Sequence, residues 1–135
     1  MCAAIVLSAG VCGCGGPSNP AAEKAAVASA EAWLALIDDG KYAESWDASA
    51  ALFRAAVPKD RWESQLTALR KPLGKTLSRE VTSKRYRTTM PGGPDGEYVV
   101  IQFAASFEKK KSAVETVTPM REEDGTWRVS GYYIK

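Results

Sequence analysis

The spacing of the apolar residues changes at Gly74, and this change restricts the folds that the chain can adopt. Before Gly74, apolar residues recur at steps of three and four, as at Ala30, Leu34 and Ile37. After it, apolar residues alternate with other residues, most clearly from Tyr98 to Phe107. A period near 3.6 indicates helices, and a period of 2 indicates strands. The sequence therefore predicts helices followed by strands, in a segregated α+β domain.

Three helices are predicted in the first half of the chain. The first covers Pro20–Ile37, with Asn19 as its N-cap, and Gly40 ends it in the left-handed conformation. The second covers residues 41–57, where apolar side chains keep a helical spacing. The third begins at Asp60, and a proline and a glycine end it.

Four strands are predicted in the second half. They cover Thr76–Met90, Tyr98–Phe107, Ala113–Arg121 and Thr126–Ile134. The short loops between them favour antiparallel pairing of successive strands. We therefore expect three helices packed on one face of a four-stranded antiparallel sheet, and 135 residues suit a single domain of this kind.

All three cysteines of the chain lie in its opening stretch, MCAAIVLSAGVCGCGG. The apolar run Ala3–Val11 has the length of a signal-peptide core and is shorter than the ~20 residues that span a bilayer. Around Cys14 the stretch resembles a bacterial lipobox, in which a small residue, here Gly13, precedes a cysteine that is lipidated and becomes the new N-terminus. The stretch departs from that pattern at Cys12, where Ala or Ser is usual, and in lacking a basic n-region. If the natural chain begins upstream of Met1, we expect Lys or Arg there.

The opening stretch thus predicts an exported protein with a lipid attached to Cys14. An ordinary secretory signal, cleaved near Gly15, and a cytoplasmic chain are the alternatives. The predicted division is a signal peptide with lipobox at 1–14, a flexible tether at 15–19 and one α+β domain at 20–135. A lipidated protein would be anchored in the cell envelope facing the periplasm, and a cleaved one would be periplasmic or secreted.

The composition of the domain excludes several kinds of chemistry. Histidine is absent, and no cysteine follows Cys14. The domain therefore lacks thiol nucleophiles and the usual zinc ligand sets. Its acidic residues do not have the spacing of a calcium loop. The residues indicate no metal, no cofactor and no catalytic set.

Several segments of the chain resemble a bacterial family known only as domain of unknown function 4019. These are AWLALIDDGKYAESWD at 32–47, KDRWESQL at 59–66, KPLG at 71–74, PGGPDGEYVVIQF at 91–103, ETV at 115–117 and DGTWRVSGYYIK at 124–135. The acidic-Gly-x-Tyr-Ala-x-x-Trp phrase and the closing Gly-x-Trp-Arg-Val strand also resemble the nuclear-transport-factor-2-like, or cystatin-like, superfamily. That resemblance implies a curved antiparallel sheet around helices, often with a conical pocket. It implies no particular activity.

Aromatic side chains are the first candidates for lining such a pocket. Trp33, Trp46 and Trp62 lie one on each predicted helix. Core packing is the ordinary role of an indole at such positions, and its N–H could instead orient a ligand. Tyr86 and Phe103, on the first two predicted strands, are further candidate lining residues.

Two carboxylates are candidate pocket residues and general bases. Enzymes of the resembled superfamily place an acid or base in the cone, where an apolar environment raises the pKa of a carboxylate. The candidates are Asp47, next to a tryptophan, and Glu115, within a strand. Glu115 alternates with Val114, Thr116 and Met120, so it points to solvent if those three residues face the core.

Basic residues concentrate in the middle of the chain. Residues 70–111 contain ten basic and four acidic side chains. On a tethered protein these charges could contact anionic lipid headgroups. Lys109–Lys111 is expected to keep a hairpin tip in solvent. Export argues against a nucleic-acid partner.

The sequence therefore favours an exported cell-envelope lipoprotein that acts as a non-catalytic module. We expect it to contact the membrane through its lipid and to bind a small ligand or an envelope protein. A homodimer formed through the sheet is one form of such an interaction. The alternative is a small isomerase- or dehydratase-like enzyme with a carboxylate in the cone pocket.

Overall fold

The computed structural model describes residues 18–135, so the predicted signal peptide, most of the tether and Cys14 lie outside the described residues. The helices are α1 (Pro20–Asp38), α2 (Tyr42–Asp47), α3 (Ala51–Ala56) and α4 (Lys59–Arg70), and a 3₁₀ turn at Lys71–Leu73 follows α4. The strands are β1 (Thr76–Arg87), β2 (Tyr98–Phe107), β3 (Lys110–Arg121) and β4 (Trp127–Ile134). The prediction of helices followed by an antiparallel sheet is confirmed.

Helix α1 begins and ends where the sequence predicts. The side chain of Asn19 accepts a hydrogen bond from the backbone N–H of Ala22 at 3.1 Å, and Pro20 occupies the first turn. After the helix, Gly40 has a φ of +76°, a conformation that glycine adopts without steric strain. One stripe of α1 is buried and contacts all four strands. Its residues are Ala22, Ala26, Ala30, Trp33, Leu34 and Ile37.

The single helix predicted for residues 41–57 is wrong, because α2 and α3 are separate helices. Between them, Ala50 is extended, with a ψ of 150°. Its N–H donates to the carbonyl oxygen of Val129 in β4 at 2.8 Å. The chain therefore leaves the helix to bond the edge of the sheet. The apolar spacing continues across the break, so the pattern alone indicated one helix.

The strands form an open, curved antiparallel sheet in the order β1-β2-β3-β4. At its centre, Phe103 of β2 lies between Val81 of β1 and Glu115 of β3. The helices cover part of the β4 edge, where Ser29 of α1 donates to the carbonyl oxygen of Trp127 at 2.7 Å. The predicted inner face of β2 is confirmed. Its buried residues are Val99, Ile101, Phe103, Ala105 and Phe107.

Helix α1 is the longest helix in the described part of the chain. Within residues 18–135, no helix combines the length and the apolar character needed to cross a membrane.

Candidate functional site

Aromatic side chains fill the space between the helices and the sheet, where the resemblance placed a pocket. Trp33 and Trp62 are buried, with ring centroids 5.9 Å apart. Tyr132 of β4 packs edge-on against Trp33 at 5.3 Å, and Phe53 of α3 packs edge-on against Trp62 at 4.9 Å. Phe103 is buried in the same core cluster. The structure thus brings three candidate lining residues together as parts of a packed interior.

Both indole N–H groups in this interior are bonded to the α2 segment. Trp33 Nε1 donates to Ser45 O at 2.9 Å and to Ser49 Oγ at 3.0 Å. Trp62 Nε1 donates to Ser45 Oγ at 3.0 Å. Buried polar groups need such partners. Because the protein satisfies both donors itself, neither is available to orient a ligand.

Glu115 faces the interior. It would have pointed to solvent if Val114, Thr116 and Met120 all faced the core, and they do not. Val114 is 42% exposed, whereas Glu115 is 0% exposed. Strand β3 buries the alternate set that contains Ala113, Val117 and Pro119. A carboxylate can occupy this face only if a cation compensates its charge.

Arg79 of β1 is that cation, and it bridges two carboxylates. Its Nε donates to Glu115 Oε1 at 2.6 Å, and its Nη2 donates to Oε2 at 3.2 Å. Its Nη1 and Nη2 also donate to the Asp38 carboxylate at 2.7 and 3.0 Å. The Tyr132 hydroxyl donates to Glu115 Oε2 at 2.6 Å. The end of α1 is therefore tied to β1, β3 and β4 by one network.

The contacts of this network set its protonation states. Burial alone would lower the pKa of Arg79, but its hydrogen bonds to Asp38 and Glu115 outweigh burial and raise that pKa. Burial alone would raise the pKa of Asp38, but hydrogen bonds from Arg79 and Arg70 hold that pKa below its usual value. Burial, followed by the charge of Glu115, raises the pKa of Tyr132. Near neutral pH, Arg79 is charged, Asp38 is ionised and Tyr132 is protonated.

Glu115 lacks the arrangement of a general base. Both of its oxygens accept hydrogen bonds from Arg79, and Tyr132 bonds one of them. A base must reach a substrate proton directly or through one water, and the Glu115 side chain is fully buried. Burial beside a compensating cation is typical of a structural ion pair. Within residues 18–135, no group of three His, Cys, Asp or Glu side chains is placed to hold a metal ion.

Trp46 packs at the margin of this interior, and Asp47 lies outside it. Trp46 is half-buried, and its Nε1 donates to Val57 O at 2.7 Å. The Asp47 carboxylate is exposed and pairs with Lys59 at 3.0 Å. The ammonium of Lys59 also lies 5.6 Å from the centre of the Trp46 ring, within cation–π range. Asp47 therefore lacks the apolar environment that a general base needs.

Tyr86 lies where the end of β1 meets the start of β2. Its hydroxyl donates to Glu97 Oε1 at 2.9 Å, and Arg121 bonds the other oxygen of Glu97 at 3.0 Å. The hydrogen bond with Glu97 raises the pKa of Tyr86, and the hydrogen bond from Arg121 lowers the pKa of Glu97. The hydroxyl of Tyr86 thus belongs to a surface network at this end of the sheet, while its half-buried side chain packs against the core cluster.

Sequence reasoning did not single out Asp38, Arg79 and Tyr132 as members of one site. One signal was present, because Arg79 lies two residues before Val81, and a strand places such residues on the same face. No comparable signal marks Tyr132 or Asp38. Their partners become neighbours only when helix and sheet come together.

The interior network falls within a region that matches a known family model. The model, described as "Protein of unknown function (DUF4019)", matches residues 29–132. No curated protein and no solved structure matches the chain.

Proposed function

The chain belongs to the DUF4019 family, and on that premise we propose that it is an exported, lipid-anchored protein of the cell envelope that acts as a non-catalytic binding module. The interior is packed, and the charges of Arg79 and Glu115 neutralise each other within it. The proposed binding role rests on this observation. Since the indole N–H groups and the Arg79–Glu115 pair have their partners within the domain, partners bind at the outside of the domain.

We also infer that the fold belongs to the nuclear-transport-factor-2-like superfamily. The order of helices followed by an antiparallel meander supports this assignment, as does the packing of α1 against all four strands. In this chain the cone of that fold is occupied by Trp33, Trp62 and Tyr132. The occupied cone supports a binding role over an acid–base enzyme.

The outer face of the sheet is the surface proposed for a protein partner. Val114 of β3 and Tyr133 of the neighbouring strand β4 are both exposed there. Exposed apolar patches commonly mark interaction sites. We propose a second copy of the chain as the partner, because a two-fold symmetric contact would place the same apolar side chains of the two copies against each other.

Sedimentation velocity of the purified domain tests this contact. The domain should sediment as a dimer, and Val114→Lys should convert it to a monomer because the contact would bury an unpaired ammonium. Leu52→Lys is the matched control, because Leu52 is 41% exposed, Val114 is 42% exposed, and Leu52 lies on α3 and not on a strand of the proposed contact face. A monomer in all three samples would contradict the proposed dimer.

Mass spectrometry of the mature N-terminus in a native host tests export and anchoring. We expect a diacylated Cys14 as the first residue and the protein in the membrane fraction. Cys14→Ser should prevent lipidation and shift the protein to the soluble fraction, whereas Cys12→Ser should leave it anchored. An intact Met1 in the wild-type protein would contradict the proposed localisation.

A further inference from the structure

Five lysines gather at the end of the domain where the 3₁₀ turn enters β1. Two backbone hydrogen bonds hold the segments that carry these lysines together. The N–H groups of Glu108 and Lys109 donate to Lys75 O and Leu73 O at 3.0 and 2.9 Å. The turn between β2 and β3 is thereby held against the start of β1. The lysines brought together are Lys71, Lys75, Lys109, Lys110 and Lys111.

These lysines have no ion-pair partners in the part of the chain that the structure describes. All five are exposed, and none has a carboxylate oxygen within 4.0 Å among residues 18–135. The nearby Glu108 uses Oε1 to accept the backbone N–H of Lys75 at 2.6 Å. Uncompensated charges of one sign raise the local concentration of opposite charges.

A groove of about 360 Å³ opens beside these lysines. We call it the lysine groove, and its walls include Tyr42, Thr67, Arg70, Lys71, Lys75 and Glu108. Three cations and two carboxylates line it, the second carboxylate being that of Asp38. Asp38 is already bonded by Arg70 and Arg79, so the charges of Lys71 and Lys75 are opposed only by the Glu108 carboxylate and leave an excess of one positive charge.

Arg70 forms a buried part of the groove wall. It is 5% exposed, and its Nη2 donates to Asp38 Oδ1 at 2.9 Å and to Thr76 Oγ1 at 2.8 Å. Its Nε and Nη1 have no hydrogen-bond acceptor within residues 18–135. The Phe107 ring lies 4.9 Å from its Cζ, which gives a cation–π contact but no acceptor oxygen. Both nitrogens are buried from solvent, so Arg70 shapes the wall of the groove and the exposed lysines supply its accessible donors.

We propose that the lysine groove binds a small ligand through an oxyanion, a phosphate or a carboxylate, placed between Lys71 and Lys75. The volume is at the lower end of the ~300–1,000 Å³ of small-molecule sites. Lysine ammonium groups bind such oxyanions as point charges. The ring of Tyr42 offers an apolar wall for the body of the ligand.

The position of the groove favours a diffusible ligand over a lipid headgroup. This inference rests on the proposed function, which anchors the chain before α1. The groove lies at the far end of α1, next to Asp38, and the 19 residues of α1 span about 28 Å. Its opening is thus remote from the point at which the chain leaves the membrane.

Phenyl phosphate combines an oxyanion with an aromatic body and is the probe for this site. In a titration of the purified domain followed by ¹H–¹⁵N NMR, the amides of Gly74 and Lys75 should shift and saturate. Lys71→Ala/Lys75→Ala should weaken binding at least about tenfold, because each removed contact to a charged group typically contributes that much or more. Phenol should leave these amides unshifted, and vesicles rich in phosphatidylglycerol should not compete with the probe.

Lys84→Ala/Arg85→Ala is the matched control. It removes the same charge from exposed positions further along β1 and should leave the affinity unchanged. Equal weakening by both double variants would indicate unspecific charge attraction and overturn the proposed site, as would the absence of saturable shifts. Shifts confined to α3 and residues 90–93 would also overturn it while leaving a binding role intact. Release of phenol by a domain whose Gly74 and Lys75 shift would support the site but contradict the non-catalytic function.

Discussion

At the scale of single residues, Arg79 is the group on which the interior depends most directly. A guanidinium taken out of water is strongly destabilising unless opposite charges and hydrogen bonds replace its hydration. Asp38 and Glu115 provide both, through two edges of the guanidinium that share Nη2. Removal of either carboxylate leaves a buried cation with only part of its compensation.

We expect Glu115→Gln to lower the free energy of unfolding by about 3 kcal/mol, the lower end of the range for breaking a buried ion pair, because Asp38 still contacts Arg79. Urea unfolding measured by tryptophan fluorescence gives this value. Glu80→Gln is the control, since Glu80 is exposed on the same sheet, and it should change the free energy by less than about 0.5 kcal/mol. Similar values for the two variants would show that the buried pair does not stabilise the fold.

The position of Glu115 could not be read from the sequence. Both alternate sets of β3 residues contain apolar side chains, so the period of 2 identifies the strand without deciding which face is buried. The partner that decides it, Arg79, lies 36 positions away. That contact forms across the intervening strand β2, and only the folded sheet creates it.

At the scale of elements, the sequence predicts those whose local signals agree with their tertiary contacts. Helix α1 has a cap, a buried stripe and a glycine stop, and its bounds were predicted to within one residue. The break between α2 and α3 was not predicted, because it depends on the bond from Ala50 to Val129, 79 positions later in the chain. Ser45 and Ser49 face the interior and accept hydrogen bonds from the buried indole N–H groups.

We expect Ser49→Ala to lower the free energy of unfolding by about 1 kcal/mol. The substitution removes a buried hydroxyl that bonds Trp33 Nε1 and Ser45 O, while Trp33 keeps its second acceptor. Thermal and urea unfolding both report the change. Ser64→Ala, at an exposed position of α4, should leave stability unchanged or slightly raised, since alanine is the better helix former. A neutral Ser49→Ala would mean that these bonds do not stabilise the break.

At the scale of the whole molecule, Asp38 joins the helices to the sheet. Its carboxylate bonds Arg70 at the end of α4, at 2.9 Å, and Arg79 and Thr76 of β1, at 2.7 and 2.9 Å. Protonation of this one group therefore weakens the contact between the helical layer and the first strand. The effect should appear in the global stability of the domain.

We expect the free energy of unfolding to fall as the pH drops below about 4. The pKa of Asp38 is held below its ordinary value of 3.8 in the folded protein, so the unfolded chain binds more protons in this range. The stabilisation is fully present above the unfolded pKa and is lost as the pH falls through the folded pKa. Urea unfolding at a series of pH values measures the slope. Asp38→Asn should lower the free energy of unfolding at neutral pH and reduce its slope against pH. Asp39→Asn, at the next position, should leave the slope unchanged. An unchanged acid slope in Asp38→Asn would assign the dependence to other carboxylates, such as Glu97 with its ion pair to Arg121.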